Sequence, residues 1–180
     1  MKYKEPMIYI IAGKARHGKS TIADIIKFDY EQNNKKVISL AYAKTIKEYI
    51  KNITNWDGDE QTKPRELMQM VGTDIIRAQI DNSFHTRRMI EDIKVYSYFF
   101  DVIIISDARY EDEIMEIKNN FKNVSVIKVI RSSLETDLSE KEKTHLSEIA
   151  LDGFNLYDYT IYNDGSIEEL EKQITKIIKE

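Results

Sequence analysis

Short apolar runs alternate with amphipathic stretches along this chain. Five runs read as strands: Met7–Ala12, Val37–Leu40, Val102–Ser106, Val124–Ile130 and Tyr159–Tyr162. The first and third are nearly continuous in apolar residues, as expected of strands buried on both faces of a helix-covered parallel sheet. Between the runs the period becomes helical. Ile22, Ile25 and Ile26 share one face after the first run. Leu67, Met70, Val71 and Ile75 form an i, i+3, i+4, i+8 stripe that begins after Pro64, a residue tolerated at a helix start. Ile167, Leu170, Ile174, Ile177 and Ile178 form the last stripe. Ser166 stands at its N-cap with Glu169 three residues on, the spacing of a capping box. Strands alternating with helices predict an α/β fold with a parallel sheet.

Two stretches break the alternation. Roughly 60 residues separate the second strand from Val102, with several helical patterns and no obvious strand. A polar segment separates Ile130 from Tyr159. Insertions of this kind on an α/β core either cover a substrate or form solvated surface helices.

Composition narrows the class. The 180 residues suit one domain with a proper core, and no Gly/Ser-rich linker divides them. Cysteine is absent, which excludes disulfides, thiolate-held zinc and a thiol nucleophile. No stretch approaches the roughly 18 apolar residues of a membrane span, so we expect a cytoplasmic protein with no membrane partner. The net charge of −4 argues against a nucleic-acid-coating surface, and no nucleic-acid partner is expected. That charge is uneven: residues 1–110 are net basic and residues 111–180 net acidic.

The strongest chemical signal is Gly13-Lys14-Ala15-Arg16-His17-Gly18-Lys19-Ser20, which matches G-x-x-x-x-G-K-[ST] at every fixed position. An apolar strand precedes it and an amphipathic helix follows, the context this motif requires. Gly13 and Gly18 allow a tight turn whose N–H groups converge on phosphate oxygens, and the helix N-terminus adds its positive end. Lys19 would reach the β- and γ-phosphates, and the Ser20 hydroxyl would ligate Mg²⁺. Lys14 and Arg16 read either as phosphate contacts or as solvated loop tips, and His17 as a tolerated loop residue.

The third strand ends in Asp107, placed as a strand-end acid that holds Mg²⁺ in phosphate-loop enzymes. Arg109, two residues on, can enter the same crevice and clamp a phosphate or the transferring group. Its plainer reading is an ion pair with Glu111, Asp112 or Glu113. His145, Ser147 and Glu148 do not make a hydrolase triad, and a helix cap is the plain reading of Ser147 or Glu148.

Beyond these motifs, the whole chain resembles the deoxynucleoside monophosphate kinases of bacteriophages and bacteria. The resemblance rests on the phosphate loop, Ala43–Glu48, Arg65–Arg77, Asp81 with Phe84, Ile105-Ser106-Asp107-Ala108-Arg109, His145-Leu146-Ser147-Glu148 and Ile161–Gly165. Phe84 stands where the family usually has Trp, and Tyr42-Ala43-Lys44 lacks a frequent Asp-Pro. Phosphomevalonate kinases of the animal type look similar in the same blocks and form the alternative, beside a non-catalytic nucleotide-binding module.

The resemblance implies a three-layer α/β/α phosphate-loop fold around a five-stranded parallel sheet. It implies one kinase domain over residues 1–180, with an acceptor-binding helical insertion at about 43–98 and a lid at about 131–148. ATP and Mg²⁺ would be the cofactors, and a deoxynucleoside monophosphate or another phosphate monoester the acceptor. Gly13 through Ser20, with Thr21 and Asn163, would bind the nucleotide, and Ser20 and Asp107 the metal. Lys47, Arg65, Gln69, Arg77 and Arg109 would bind the acceptor. Lys19, Asp107, Arg109 and Arg131 would carry catalysis, Arg131 as a lid arginine. A homodimer is compatible with this reading.

Overall fold

The computed structural model describes residues 3–133 and 144–179. Its strands are β1 (Met7–Ala12), β2 (Val37–Leu40), β3 (Val102–Ala108), β4 (Val124–Ile130) and β5 (Tyr159–Tyr162). They form one parallel sheet in the order β2-β3-β1-β4-β5. The helices are α1 (Lys19–Gln32), α2 (Ala43–Ile53), α3 (Arg65–Gln69), α4 (Phe84–Tyr96), α5 (Glu111–Asn120), α6 (Leu146–Ile149) and α7 (Ile167–Lys179), with a π-helix at Met70–Ile80 between α3 and α4. Of the expected lid, residues 134–143 lie outside the described residues. Among the described residues, no helix is long and apolar enough to cross a membrane.

The unbroken apolar runs follow from the layering. Successive side chains of a strand point to opposite faces. Ile8, Ile10, Ile103 and Ile105 meet α4 and α5 on one face, while Tyr9, Ile11, Val102 and Ile104 meet α1 and α7 on the other. Both faces are covered, so neither position in the pleat can be polar. Each such side chain contributes about 1.5–3 kcal/mol on burial. β3 runs two residues past the expected Ser106. Between Ile10 and Ala12 the β1–β3 register shifts, and Ala12 pairs with Ala108. An extra residue of this kind re-aims the strand end next to a site, here at Asp107 and Arg109.

At α7, Leu170 and Ile174 are buried as the stripe predicts, but Ile167 is exposed. Its capping box is present: Ser166 N–H donates to Glu169 Oε2 at 3.1 Å, and Glu169 N–H donates to Ser166 Oγ at 3.3 Å.

The Leu67–Ile75 stripe is the clearest departure from expectation. The segment winds as α3 only to Gln69 and then as a π-helix, whose i→i+5 bonds rotate successive residues less than the 3.6 period assumes. The buried positions are Gly72, Thr73 and Ile76, while Met70 is 43% exposed.

Candidate active site

Every strand end feeds one edge of the sheet. β1 leads into the Gly13–Ser20 loop, β2 into Tyr42 and α2, β3 into Asp107 and Arg109, β4 into Arg131, and β5 into Asn163. The chain runs from β1 to one side of the sheet and crosses to the other after β3, so the loop lies at the switch point where α/β sheets hold ligands.

The loop fits an anion. Gly18, the N-cap of α1, has φ 94°, and no side chain caps that end. The leading N–H groups of the helix are therefore left to an external acceptor. A Cβ on Gly13, at φ 154°, would stand 2.7 Å from the Val129 carbonyl oxygen. Arg16 also has positive φ, 63°. Asn163 braces the loop: its Nδ2 donates to the His17 carbonyl at 2.9 Å. His17 Nδ1 lies 3.2 Å from the Val129 carbonyl and 3.3 Å from Arg131 N–H, so this residue ties the loop to β4. Burial pushes the His17 pKa down.

Lys19 is 9% exposed, and its Nζ donates to the carbonyls of Gly13 at 2.8 Å and Lys14 at 2.7 Å. Burial, joined by the nearby Arg109 charge, pushes its pKa down to about 7, against the pull of Glu148 and Asp107. A buried ammonium beside a second cation is poised for a polyanion.

A cavity of about 560 Å³ opens from the loop. Lys19, Ser20, Asp107 and Arg109 line one end, and Lys47, Lys63, Arg65 and Gln69 line the α2–α3 side. Lys63 and Arg65 both pair with Glu60, at 2.8 and 3.1 Å. Against its burial, Lys63, Arg65 and Lys47 hold the Glu60 carboxyl below its usual range. Burial chiefly pulls the Lys63 pKa down. Three cations share one acid, which leaves this wall positive and suited to a phosphate monoester. The sequence reading missed Lys63, although Lys-Pro-Arg at a helix start was a visible basic pair.

Asp107 does more than the sequence suggested. Its two carboxylate oxygens accept the N–H groups of Tyr42 and Ala43, each at 2.9 Å, and so hold the start of α2. One lone pair on each oxygen remains. With the Ser20 hydroxyl on the same cavity wall, these are hard oxygen donors of the kind Mg²⁺ takes. Among the described residues, no cluster of three or more His, Cys, Asp or Glu could cage a metal alone.

Three expected residues sit elsewhere. Arg77 does not line the cavity. Its guanidinium pairs with Asp112 at 2.9 Å and Glu113 at 3.0 Å and stacks 3.9 Å over Tyr110, joining the π-helix to α5. Arg131 is likewise outside the cavity wall, and its Nε is buried with no hydrogen-bond partner among the described residues. Asn163 contacts the loop backbone. Trp56 is also off the cavity, with its Nε1 donating to the Asp59 carbonyl at 2.9 Å.

Two carboxylates hold Arg109. Glu113, 3% exposed, accepts Arg109 N–H at 2.7 Å and Tyr110 N–H at 3.2 Å, and burial pushes its pKa up to about 7. Glu148 pairs with the Arg109 guanidinium at 2.8 Å. It is neither the plain cap that the sequence suggested nor a surface group, at 11% side-chain exposure. His145 is the cap, its Nδ1 accepting Ser147 N–H at 3.2 Å.

With this geometry in place, comparison with known proteins is specific. A family model described as deoxynucleotide monophosphate kinase matches residues 30–174. The chain belongs to this family. The match starts beyond the Gly13–Ser20 loop, so that loop stands independently on its own motif and geometry. The deoxynucleotide monophosphate kinase of Enterobacteria phage T4 is 29% identical over 167 residues, 91% of this chain and 62% of the phage protein. A putative deoxynucleotide monophosphate kinase of Acanthamoeba polyphaga mimivirus is 30% identical over 125 residues, 64% of this chain and 61% of the viral protein. The chain thus spans about three fifths of the length of these two relatives. Among solved structures, the Mycobacterium tuberculosis APS kinase in complex with AMPPNP and APS superposes with TM-score 0.57 at 11% identity, over 98% of this chain and 99% of that one. Shikimate kinase from Aquifex aeolicus gives 0.52 at 15% identity, over 96% of both chains. These two establish the fold, an α/β phosphate-loop architecture.

Proposed function

We propose that this chain is an ATP-dependent kinase that phosphorylates a deoxynucleoside monophosphate to the diphosphate. One observation carries the reading: a single cavity joins the phosphate loop at one end to a positive wall of Lys47, Lys63 and Arg65 at the other. Such an arrangement holds two phosphate groups facing each other, and the family's name supplies the acceptor class.

The reaction asks for little covalent chemistry from the protein. An acceptor phosphate is already ionised near neutral pH, so positioning and charge neutralisation are the main tasks. The loop N–H groups and Lys19 hold the donor phosphates. Arg109, fixed through its backbone by Glu113, faces the space between donor and acceptor and steadies charge on the transferring group. Residues 43–98 form the acceptor-holding insertion. Gln69 and Thr73, which line the cavity, would meet the acceptor beyond its phosphate. Ser20 and Asp107 would hold Mg²⁺, which supplies neutralisation of phosphate charge when bound.

A coupled ADP-release assay across the four deoxynucleoside monophosphates, phosphomevalonate and oligonucleotide 5′ ends tests the reading. ADP release dependent on at least one deoxynucleoside monophosphate is expected. Release with phosphomevalonate alone, or with no acceptor, would refute it.

A further inference from the structure

The phosphate loop already holds an anion of its own. Glu148 Oε2 accepts the N–H of Ala15, inside the loop, at 3.3 Å, and the same oxygen pairs with Arg109 Nη1 at 2.8 Å. Lys19 is turned onto the Gly13 and Lys14 carbonyls. A loop amide, the loop lysine and the arginine beside them thus each have an oxygen partner from the chain itself. To an amide and a guanidinium, a carboxylate oxygen offers the same kind of acceptor as a phosphate oxygen.

We propose that Glu148 is an internal placeholder for a nucleotide phosphate oxygen. It positions Arg109 and the loop in the arrangement phosphate needs, and it gives way when phosphate arrives. This rests on the reading of the loop as the nucleotide's phosphate site.

Burial and charge both support the exchange. With its side chain 11% exposed, Glu148 cannot stay where it is once Arg109 and the Ala15 amide turn to another anion, because an unpaired carboxylate would then face a phosphate of like charge. Its location allows the withdrawal. Glu148 lies on the four-residue helix α6, at the boundary between the large cavity and a smaller one of about 190 Å³ behind it. The smaller cavity is also lined by Lys14 and Lys128, cations that can receive the displaced carboxylate. The nucleotide therefore binds a form of the loop that Glu148 has vacated, and its apparent affinity is lowered by the fraction of molecules in which Glu148 is seated.

Titration calorimetry on the full chain tests this with three probes: ADP, inorganic tripolyphosphate and adenosine. The variants are Glu148→Gln, Glu148→Ala and Asp152→Asn. Asp152 is a neighbouring acid that pairs with the Lys14 ammonium at 3.1 Å, so its replacement removes a nearby negative charge while leaving the Glu148 contacts in place. Both Glu148 variants should bind ADP and tripolyphosphate about five- to thirtyfold tighter, with adenosine unchanged. Weaker or unchanged phosphate binding overturns the proposal. So does an equal tightening in Asp152→Asn, which would be a matter of net charge, or a failure of both Glu148 variants to fold by circular dichroism, which would assign the residue to stability. A wild-type chain that binds neither phosphate probe would instead remove the reading of the loop on which the proposal stands.

Discussion

Nucleotide binding should draw a proton onto Lys19. In the structure this ammonium is 9% exposed and held by two carbonyls, with burial and the Arg109 charge bringing its pKa to about 7. At pH 8 the neutral form of Lys19 then predominates in the ligand-free molecule. A bound polyphosphate returns the pKa well above 8, so ADP draws most of a proton onto Lys19 at pH 8 and little at pH 6. Between the shifted value and the ordinary lysine range, affinity falls by up to about tenfold per pH unit. The ligand-free fold shows the opposite trend in that window. Its lysine pKa lies below that of the unfolded chain, so the unfolded state binds the extra proton and stability rises with pH. Titration calorimetry in buffers of different ionisation enthalpy counts the protons directly. The apparent heat should vary with buffer enthalpy at pH 8 and hardly at pH 6, and Lys19→Met should flatten the dependence. A buffer-independent heat for the wild type at pH 8, or the same slope in wild type and Lys19→Met, would refute the argument.

Other outcomes follow from the same geometry. Arg109→Ala should lower turnover by about 10²–10³-fold, the scale of a lost transition-state charge contact, and steady-state kinetics showing a change only in the KM for ATP would contradict its role. Arg77→Ala removes the guanidinium from Glu113, which keeps its two backbone N–H donors and can take up a proton near neutral pH, and should cost about 1–3 kcal/mol in urea unfolding; a loss below about 0.5 kcal/mol would mean the pair does not join the π-helix to α5. Gly18→Ala would drive a Cβ into Asn163 Nδ2 at φ 94°, breaking the brace on the loop. Its melting temperature should fall and its ADP affinity drop about tenfold or more, whereas a variant that binds ADP normally would show the brace to be dispensable.

The sheet was legible in the sequence because burial on both faces leaves an unmistakable trace: four of the five strands have the bounds that the apolar runs predict. The phosphate loop and the Ser166–Glu169 cap were legible because their chemistry is local, within a few residues of chain. The π-helix was not. Its apolar residues were counted on a 3.6 period, and nothing in Met70–Ile80 advertises the wider turn that buries Gly72 and Thr73 instead. Long-range partners were also hidden. Arg77 and Arg65 look alike in sequence, yet one locks onto Asp112 and Glu113 across 35 residues while the other reaches the cavity. Glu148 reads as a helix cap until the fold brings it 133 residues back to Ala15.

The two N–H hydrogen bonds that Asp107 accepts from Tyr42 and Ala43 make it a joint between β3 and the start of α2, beside the metal role proposed for it. Any acceptor contact borne by α2 and any cation held at the end of β3 would share one carboxylate, so the two binding equilibria would be reciprocally linked: whatever factor a cation applied to acceptor affinity, the acceptor would apply to the cation. Replacing Asp107 by Asn would therefore register on both sides of the cavity at once. The KM for the acceptor would move in a variant made to test the metal.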